Sequence, residues 1–209
     1  MNRLFAWFGL PGTAVLTMLM SMTALTAALV FPTPDRWLRF TAMLFGSLGD
    51  LILMNDPRVR AKLPPFLSSF TAGGAVFFLS HLLYGAAFAV RSVLAGVRTF
   101  EGWFWAGPLL AGALAVLLLL LQRRGGGKDF PMLALFGLYF LAICSVFGLV
   151  LAFALEKGGA GWLTVAGSVS FIISDYLIAL GRLTPFASRQ NDLLVWWFYP
   201  AGQLLLILS

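Results

Sequence analysis

The sequence has few of the residues on which most active sites depend. Among its 209 residues there is one histidine, His81, and one cysteine, Cys144. A membrane zinc hydrolase of the multi-histidine kind needs about three imidazole or thiolate ligands, and this composition cannot supply them. A single cysteine also excludes a disulfide within the chain.

Charged residues are equally scarce. Only 11% of the residues are charged while 60% are hydrophobic, and the mean hydropathy is +0.93. These values lie far outside the range of soluble domains and indicate a chain embedded in lipid. The three lysines Lys62, Lys128 and Lys157 lie between the apolar runs, so no helix offers a Schiff-base lysine for retinal. A Gly-x-Ser-x-Gly turn and a phosphate-binding glycine loop are absent from the sequence as well.

The basic residues do not indicate a nucleic-acid partner, although the net charge is +6. They occur in short clusters between apolar runs and not along one continuous stripe. Clusters of this kind are typical of loops that set the orientation of membrane helices. We therefore expect membrane lipid as a partner, and no nucleic acid.

The long apolar runs predict an all-α, polytopic integral membrane bundle of about seven transmembrane helices, forming a single domain over residues 1–209. A cleaved signal peptide is rejected because the first run is too long and further runs follow. We expect residues 1–10 to lie at the membrane interface through Trp7 and Phe8. The predicted helices are Gly12–Phe31, Phe40–Asn55, Phe66–Val90, Trp103–Leu121, Phe130–Leu155, Gly161–Gly181 and Leu193–Leu208.

The distribution of basic residues predicts the orientation. Cytoplasmic loops carry an excess of lysine and arginine, so the side with more of them is expected inside. With seven helices this places the N-terminus in the cytoplasm and the C-terminus outside. The inner side has Arg3, Arg58, Arg60, Lys62, Arg123, Arg124, Lys128, Arg182 and Arg189, and the outer side has Arg36, Arg39, Arg91, Arg98 and Lys157.

Two aspartates lie within the apolar runs, whereas the other acidic residues lie in loops or at helix ends. Asp50 precedes Asp56 by six residues and Asp175 precedes Arg182 by seven, so both are predicted about 9 to 11 Å from the same membrane boundary. Carboxylates are costly within a membrane and usually face the bundle interior for a functional reason. If the two side chains converge, one is expected to be a neutral acid and the other an ionised base. The alternative is that each only hydrogen-bonds a neighbouring helix.

Two further polar pairs lie on single helix faces. His81 and Tyr84 are three residues apart, and Tyr199 and Gln203 are four apart. Either pair could bind a polar part of a substrate or orient a carboxylate. The alternatives are a packed polar pair between helices for the first and an aromatic belt at the interface for the second.

Small residues accompany these sites on the second and third predicted helices. Gly46 and Gly49 lie on one, and Gly73 and Gly74 on the other. Glycines permit close contact between membrane helices, so we interpret them as packing positions.

Four segments together resemble the YhhN-like lysoplasmalogenase family. They are residues 48–54 (Leu-Gly-Asp-Leu-Ile-Leu-Met), 77–84 (Phe-Phe-Leu-Ser-His-Leu-Leu-Tyr), 167–175, ending in Ser174-Asp175, and 199–203, from Tyr199 to Gln203. The resemblance covers nearly the whole chain, in order. Three features depart from the family pattern: the first of about eight helices is reduced to a short stub, the tail has one tyrosine fewer and contains Pro200, and Gly181 replaces an asparagine.

The resemblance implies an enzyme of the bacterial inner membrane that hydrolyses the vinyl ether bond of lysoplasmalogens, such as lysoplasmenylethanolamine or lysoplasmenylcholine. The products would be a fatty aldehyde and a glycerophospho-base. Asp50 and Asp175 would be catalytic, and the reaction would need no metal or organic cofactor. The substrate would be a lysophospholipid, with His81, Tyr84, Ser174, Tyr199 and Gln203 as the expected substrate-binding residues.

Other functions remain open at this point. Two buried carboxylates would also suit a proton-coupled transporter, and a lipid-binding protein without turnover is a third possibility. Arg58, Arg60, Arg182 or Arg189 could contact a lipid phosphate, but a role in setting topology explains them better. The sequence does not give the headgroup or the oligomeric state.

Overall fold

The computed structural model describes residues 2–98, 100–127, 129–186 and 188–209, and within these ranges it leaves out the side chains of residues 2–11, 13 and 189. Across the described residues the chain is helical and contains no strand. Seven long helices, one short helix and one 3-10 turn follow one another. They are α1 (Asn2–Val30), α2 (Arg36–Leu53), the short α3 (Pro57–Arg60), α4 (Ser69–Leu94), the 3-10 turn Gly102–Trp105, α5 (Ala106–Arg124), α6 (Phe130–Lys157), α7 (Gly161–Leu183) and α8 (Arg189–Leu208).

The predicted all-α bundle with seven long helices is therefore confirmed, with boundaries shifted by a few residues. Local capping explains several of the shifts. The Ser68 hydroxyl accepts a hydrogen bond from Thr71 N, and α4 begins three residues later than predicted. The Ser188 hydroxyl accepts one from Asn191 N, and α8 begins four residues earlier than predicted. After α2 the chain turns at Asn55, whose φ of 56° is left-handed.

The predicted start of the first helix at Gly12 was wrong, whereas the interfacial position of residues 1–10 stays a prediction. Residues 2–11 continue α1, so the first helix begins at Asn2. Pro11 lies within this helix, where it has no N–H to donate to the carbonyl one turn earlier. The side chains of Trp7 and Phe8, on which the interfacial prediction depended, lie outside the described residues.

Four segments are long and apolar enough to cross a membrane by length and composition: Ser69–Leu94, Gly102–Arg124, Phe130–Lys157 and Gly161–Leu183. The apolar part of α1, Ala14–Val30, is slightly shorter. In α2, Arg36, Arg39 and Asp50 lower the hydropathy, although this helix packs within the same bundle. The apolar helices make this an integral membrane protein.

Glycines set the close contact between α2 and α4, as predicted. A Cβ on Gly49 would lie 2.7 Å from the Phe77 ring, and one on Gly73 would lie 2.6 Å from Leu53. Gly74 differs, because a Cβ there would meet no atom within 4 Å. The same helix therefore presents one glycine to its neighbour and the next to open space.

Candidate active site

A cavity of about 330 Å³ lies at one end of the bundle. The C-terminal parts of α2 and α7 and the N-terminal parts of α4, α6 and α8 line it, together with Leu16 of α1. Its volume is at the lower end of the range for pockets that bind small molecules. The basic loops that follow α2, α5 and α7 lie at this same end.

Both intramembrane aspartates line this cavity. Asp50 comes from the last turn of α2 and Asp175 from the second half of α7. Their side chains are almost inaccessible, with relative exposures of 4% and 8%. The two helices run in the same direction, so the matched depths predicted from the sequence bring the carboxyls to the same chamber.

Each carboxyl accepts a hydrogen bond from a tyrosine on another helix. The Tyr199 hydroxyl of α8 donates to Asp50 Oδ2 at 2.6 Å. The Tyr139 hydroxyl of α6 donates to Asp175 Oδ2. Neither aspartate forms an ion pair with a described residue. The carboxyls are therefore oriented by neutral donors, without a neutralising cation in the part of the chain that the structure describes.

The remaining wall of the cavity is almost entirely apolar. On α6 the lining residues follow helical spacing, since Met132, Leu135, Phe136 and Tyr139 share one face. Leu135 and Leu138 line the cavity and are about half exposed, at 50% and 55%, so the cavity is open on this side. The cavity is therefore continuous with the apolar outer surface, which in a membrane faces lipid.

The structure does not bring all of the sequence-predicted site residues into the cavity. Asp50, Asp175 and Tyr199 line it, whereas the side chains of His81, Tyr84, Ser174 and Gln203 do not. These four are buried between helices. Their role in substrate binding therefore stays a prediction, and this structure places them behind the cavity wall.

Two of these four residues form a pair that links helices. The Tyr84 hydroxyl of α4 donates to Gln203 Oε1 of α8 at 3.0 Å. This matches the alternative interpretation of Tyr84 as part of a packed polar pair. Its partner is Gln203, more than a hundred residues away, and not His81.

His81 lies behind the cavity wall and packs against Tyr139. Its Nδ1 lies 2.8 Å from the Phe77 carbonyl, which can only accept, so Nδ1 carries the hydrogen. The imidazole packs edge-on against Tyr139 and Phe171, with ring centroids 5.4 and 4.7 Å apart. His81 therefore contacts the tyrosine that holds Asp175, without reaching the cavity itself.

Sequence reasoning missed Tyr139. The residue lies in the middle of a long apolar run and belongs to none of the four recognised segments. A possible signal was the phenol itself, because a buried tyrosine usually needs a hydrogen-bond partner and Asp175 needs a donor. The sequence could not give the helix rotation that makes the two meet.

A third buried carboxyl, Asp35, lies at the opposite end of the bundle. Arg39 Nε is 2.8 Å from Asp35 Oδ2, and both side chains are buried. The same guanidinium donates from Nη1 to the carbonyls of Ile207 and Ser209, at 3.1 and 2.8 Å. It therefore joins the beginning of α2 to the end of α8, where carbonyl groups lack helical partners. Sequence reasoning placed Asp35 correctly at a helix end but did not anticipate its burial.

These features define a class: a polytopic helical membrane protein with two tyrosine-bonded aspartates in a lipid-facing cavity. The chain belongs to the YhhN family, whose model matches residues 12–209, nearly the whole sequence. No solved structure matches the chain significantly.

Proposed function

We propose that this protein is a membrane ether hydrolase, a lysoplasmalogenase that cleaves the vinyl ether bond of lysoplasmenylethanolamine or lysoplasmenylcholine. The observation that carries the proposal is the pair of buried carboxyls, each bonded to a tyrosine, at the wall of an apolar cavity. Membership of the YhhN family and the resemblance of its four segments support the same activity.

The cavity suits a single-chain amphiphile. A lysolipid could enter sideways past Leu135 and Leu138, with its hydrocarbon chain against the apolar residues of α4 and α6. Its vinyl ether would then lie beside Asp50 and Asp175. The glycerol and headgroup would extend toward the loops at this end of the bundle, where water is available.

The first chemical step is protonation of carbon. A vinyl ether is cleaved when its β-carbon takes a proton, which converts the O–CH=CH unit into an oxocarbenium ion. Two carboxylates that line the same poorly solvated cavity repel, so the pair favours a state with one bound proton. The protonated aspartate donates that proton, and the ionised aspartate stabilises the cation that forms, as paired carboxylates do for the similar cation of glycoside hydrolysis.

The second step adds water. The aspartate that remains ionised accepts a proton from water as its oxygen attacks the oxocarbenium carbon, which gives a hemiacetal. The hemiacetal then breaks into a fatty aldehyde and the glycerol hydroxyl, and a proton moves between the two oxygens. Tyr139 and Tyr199 keep the carboxyls in place throughout, because each donates to one oxygen and leaves the other oxygen of that carboxyl for the reaction.

We propose that the protein resides in a bacterial inner membrane with its N-terminus in the cytoplasm. The excess of basic residues in the loops that follow α2, α5 and α7 supports this orientation. The cavity would then open on the cytoplasmic half of the bilayer.

The test is aldehyde release by the purified protein in detergent. We expect turnover of 1-alkenyl lysophosphoethanolamine and none of the 1-alkyl analogue, which has the same shape but no double bond to protonate. Cleavage of both lipids would contradict carbon protonation as the first step. Binding of the alkenyl lipid without any product would contradict the proposed hydrolase activity and favour a lipid-binding protein. Proton-driven flux in liposomes without product would favour a transporter.

A further inference from the structure

Arg182 continues the helix stripe that carries Asp175. Asp175 and Ile178 line the cavity, and Arg182 follows Asp175 by seven residues on α7. Seven residues bring a helix back to nearly the same direction, about 20° away, and about 10 Å further along its axis. Arg182 is therefore placed above the two lining residues, at the loop end of the cavity.

A contact with α4 fixes the guanidinium of Arg182 at the mouth. It lies over the ring of Phe70, 5.2 Å from the ring centroid, and Phe70 itself lines the cavity. An arginine stacked on an aromatic ring can still use the edge of its guanidinium for hydrogen bonds. The contact therefore holds the cation at the entrance and leaves its donors available.

The charge of Arg182 is not neutralised by another described residue. Its side chain is exposed, and the ion pairs within the described ranges involve other arginines. Arg60, at the same end of the bundle, differs because its guanidinium donates to the carbonyls of Leu67 and Pro65, at 2.6 and 3.2 Å. Arg60 is thus occupied by its own loop, whereas Arg182 presents an available cation.

We propose that Arg182 binds the phosphate of the lysophospholipid and so determines specificity for a phosphate-bearing substrate. This inference rests on the proposed function. Guanidinium and phosphate form paired, charge-assisted hydrogen bonds. In the substrate the glycerol backbone separates the vinyl ether from the phosphate, so a phosphate held at the mouth sets the depth of the double bond beside the aspartates. A simpler role for Arg182 is to mark the cytoplasmic side and to complement the end of the helix.

The experiment compares two substrates in each variant. One is 1-alkenyl lysophosphoethanolamine, and the other is 1-alkenylglycerol, which has the same vinyl ether and no phosphate. In Arg182→Gln we expect the preference for the phosphate-bearing substrate, as a ratio of kcat/KM values, to fall about tenfold or more, since a hydrogen bond to a charged group is lost. The lower kcat/KM for the phosphate-bearing substrate should come mainly from a higher KM. Arg182→Lys should recover part of the preference, because it retains the charge without the planar fork.

Arg123→Gln is the matched control, since Arg123 is an exposed arginine at the end of α5 on the same side. An unchanged preference in Arg182→Gln, or an equal preference loss in Arg123→Gln, would overturn the inference and leave Arg182 as a topological charge. An equal loss for both substrates in Arg182→Gln would also overturn it, by indicating a structural role.

A binding measurement keeps this inference separate from the proposed activity. The wild-type protein and Arg182→Gln are titrated with the uncleavable 1-alkyl lysophosphoethanolamine and with 1-alkylglycerol. Binding is followed by the intrinsic tryptophan fluorescence, to which Trp196 in the cavity lining contributes. If Arg182→Gln binds only the phosphate-bearing lipid more weakly than the wild type does, the phosphate-binding role of Arg182 is supported. This holds even if no vinyl ether is cleaved, in which case only the proposed function fails. Equal binding of both lipids in both proteins overturns the inference. Competition by inorganic phosphate distinguishes a site for free phosphate from a lipid site.

Discussion

Buried aspartates occur at both ends of this bundle, in opposite settings. At one end Asp35 is paired with Arg39, which also binds the carbonyls at the end of α8. At the other end Asp50 and Asp175 face a cavity, and among the described residues their hydrogen-bond donors are tyrosines. In the first setting the charge is neutralised, and the cavity that Arg39 lines has a volume of only about 10 Å³. In the second the carboxyls remain available to another molecule.

The comparison shows that burial of a carboxyl does not by itself indicate a catalytic role. An aspartate that forms an ion pair and ties helix ends together contributes to the fold, because removing either partner leaves a buried charge unpaired. An aspartate held by a neutral donor at the wall of a cavity can exchange a proton with a bound molecule. The nature of the partner and the adjoining space therefore distinguish the two ends.

The sharpest test of the difference is to neutralise the cavity carboxyls. Asp50→Asn and Asp175→Asn should each lower the rate of aldehyde release by about 10²- to 10⁴-fold, the usual contribution of a general acid or base. The unfolding midpoint in detergent should stay close to that of the wild type. Glu101→Gln, which removes a carboxylate whose side chain is 70% exposed, is the control and should retain full activity. Wild-type rates in either asparagine variant would remove that residue from the mechanism.

Substitutions at the opposite end of the bundle should change the free energy of unfolding. Arg39→Met leaves Asp35 buried without its cation and is expected to lower the free energy of unfolding by about 3–5 kcal/mol. The activity of the protein that remains folded should be unchanged. Arg98→Met removes an exposed partner of Glu101 and should cost less than about 1 kcal/mol.

A double variant checks the physical reason for that loss. Asp35→Asn combined with Arg39→Met removes both charges and should recover part of the stability lost in Arg39→Met alone. If the double variant is as unstable as the single one, the loss comes from the α8 contacts and not from the unpaired carboxylate. Chemical or thermal unfolding in mild detergent distinguishes the two cases.

The tyrosines of the cavity provide a smaller test. Tyr199→Phe removes the donor to Asp50, and a hydrogen bond to a charged group contributes about 1.5–3 kcal/mol, so we expect activity to fall about 10- to 100-fold. Tyr176→Phe is the matched control, because the Tyr176 hydroxyl forms no hydrogen bond with a described residue. Equal losses in the two variants would mean that the Tyr199 hydroxyl does not support Asp50.

The mildest effect is expected from narrowing the cavity. Gly74 lines it, and a Cβ at this position meets no atom within 4 Å, so Gly74→Leu should fold and project its side chain into the open space. We expect kcat/KM to fall several-fold, with a larger loss for longer alkenyl chains. Gly112→Leu on α5, another glycine with no atom near its Cβ position and outside the cavity lining, should leave the kinetics unchanged. Equal kinetics for Gly74→Leu at all chain lengths would place the hydrocarbon chain elsewhere.

Much of the fold could be predicted from the sequence. Long apolar runs lie in lipid, where the backbone must satisfy its own hydrogen bonds, and a helix does this within each run. The prediction was less accurate at the ends of helices. Ser68 and Ser188 cap their helices through side-chain contacts, and α1 extends over residues 2–11. These boundaries depend on a few local contacts that hydropathy does not report.

The candidate site could be predicted only in part. Asp50 and Asp175 stood out because charge inside an apolar run is costly, and their matched depths follow from helical rise and chain direction. Tyr139 could not be found in this way, since a tyrosine in an apolar helix costs little and is common. Tyr84 and Gln203 were recognised as polar, but nothing in the sequence showed that they pair with each other across two helices.

The sequence by itself determined that this protein is a helical membrane bundle and that two carboxyls lie at one depth within it, because composition and rise per residue act along each helix independently. Only the tertiary structure decided which way each helix turns its polar side chains. That rotation is set by contacts between helices, such as Gly49 against Phe77. It directs Asp50, Asp175, Tyr139 and Tyr199 into one cavity while His81 and Tyr84 stay in the packed core.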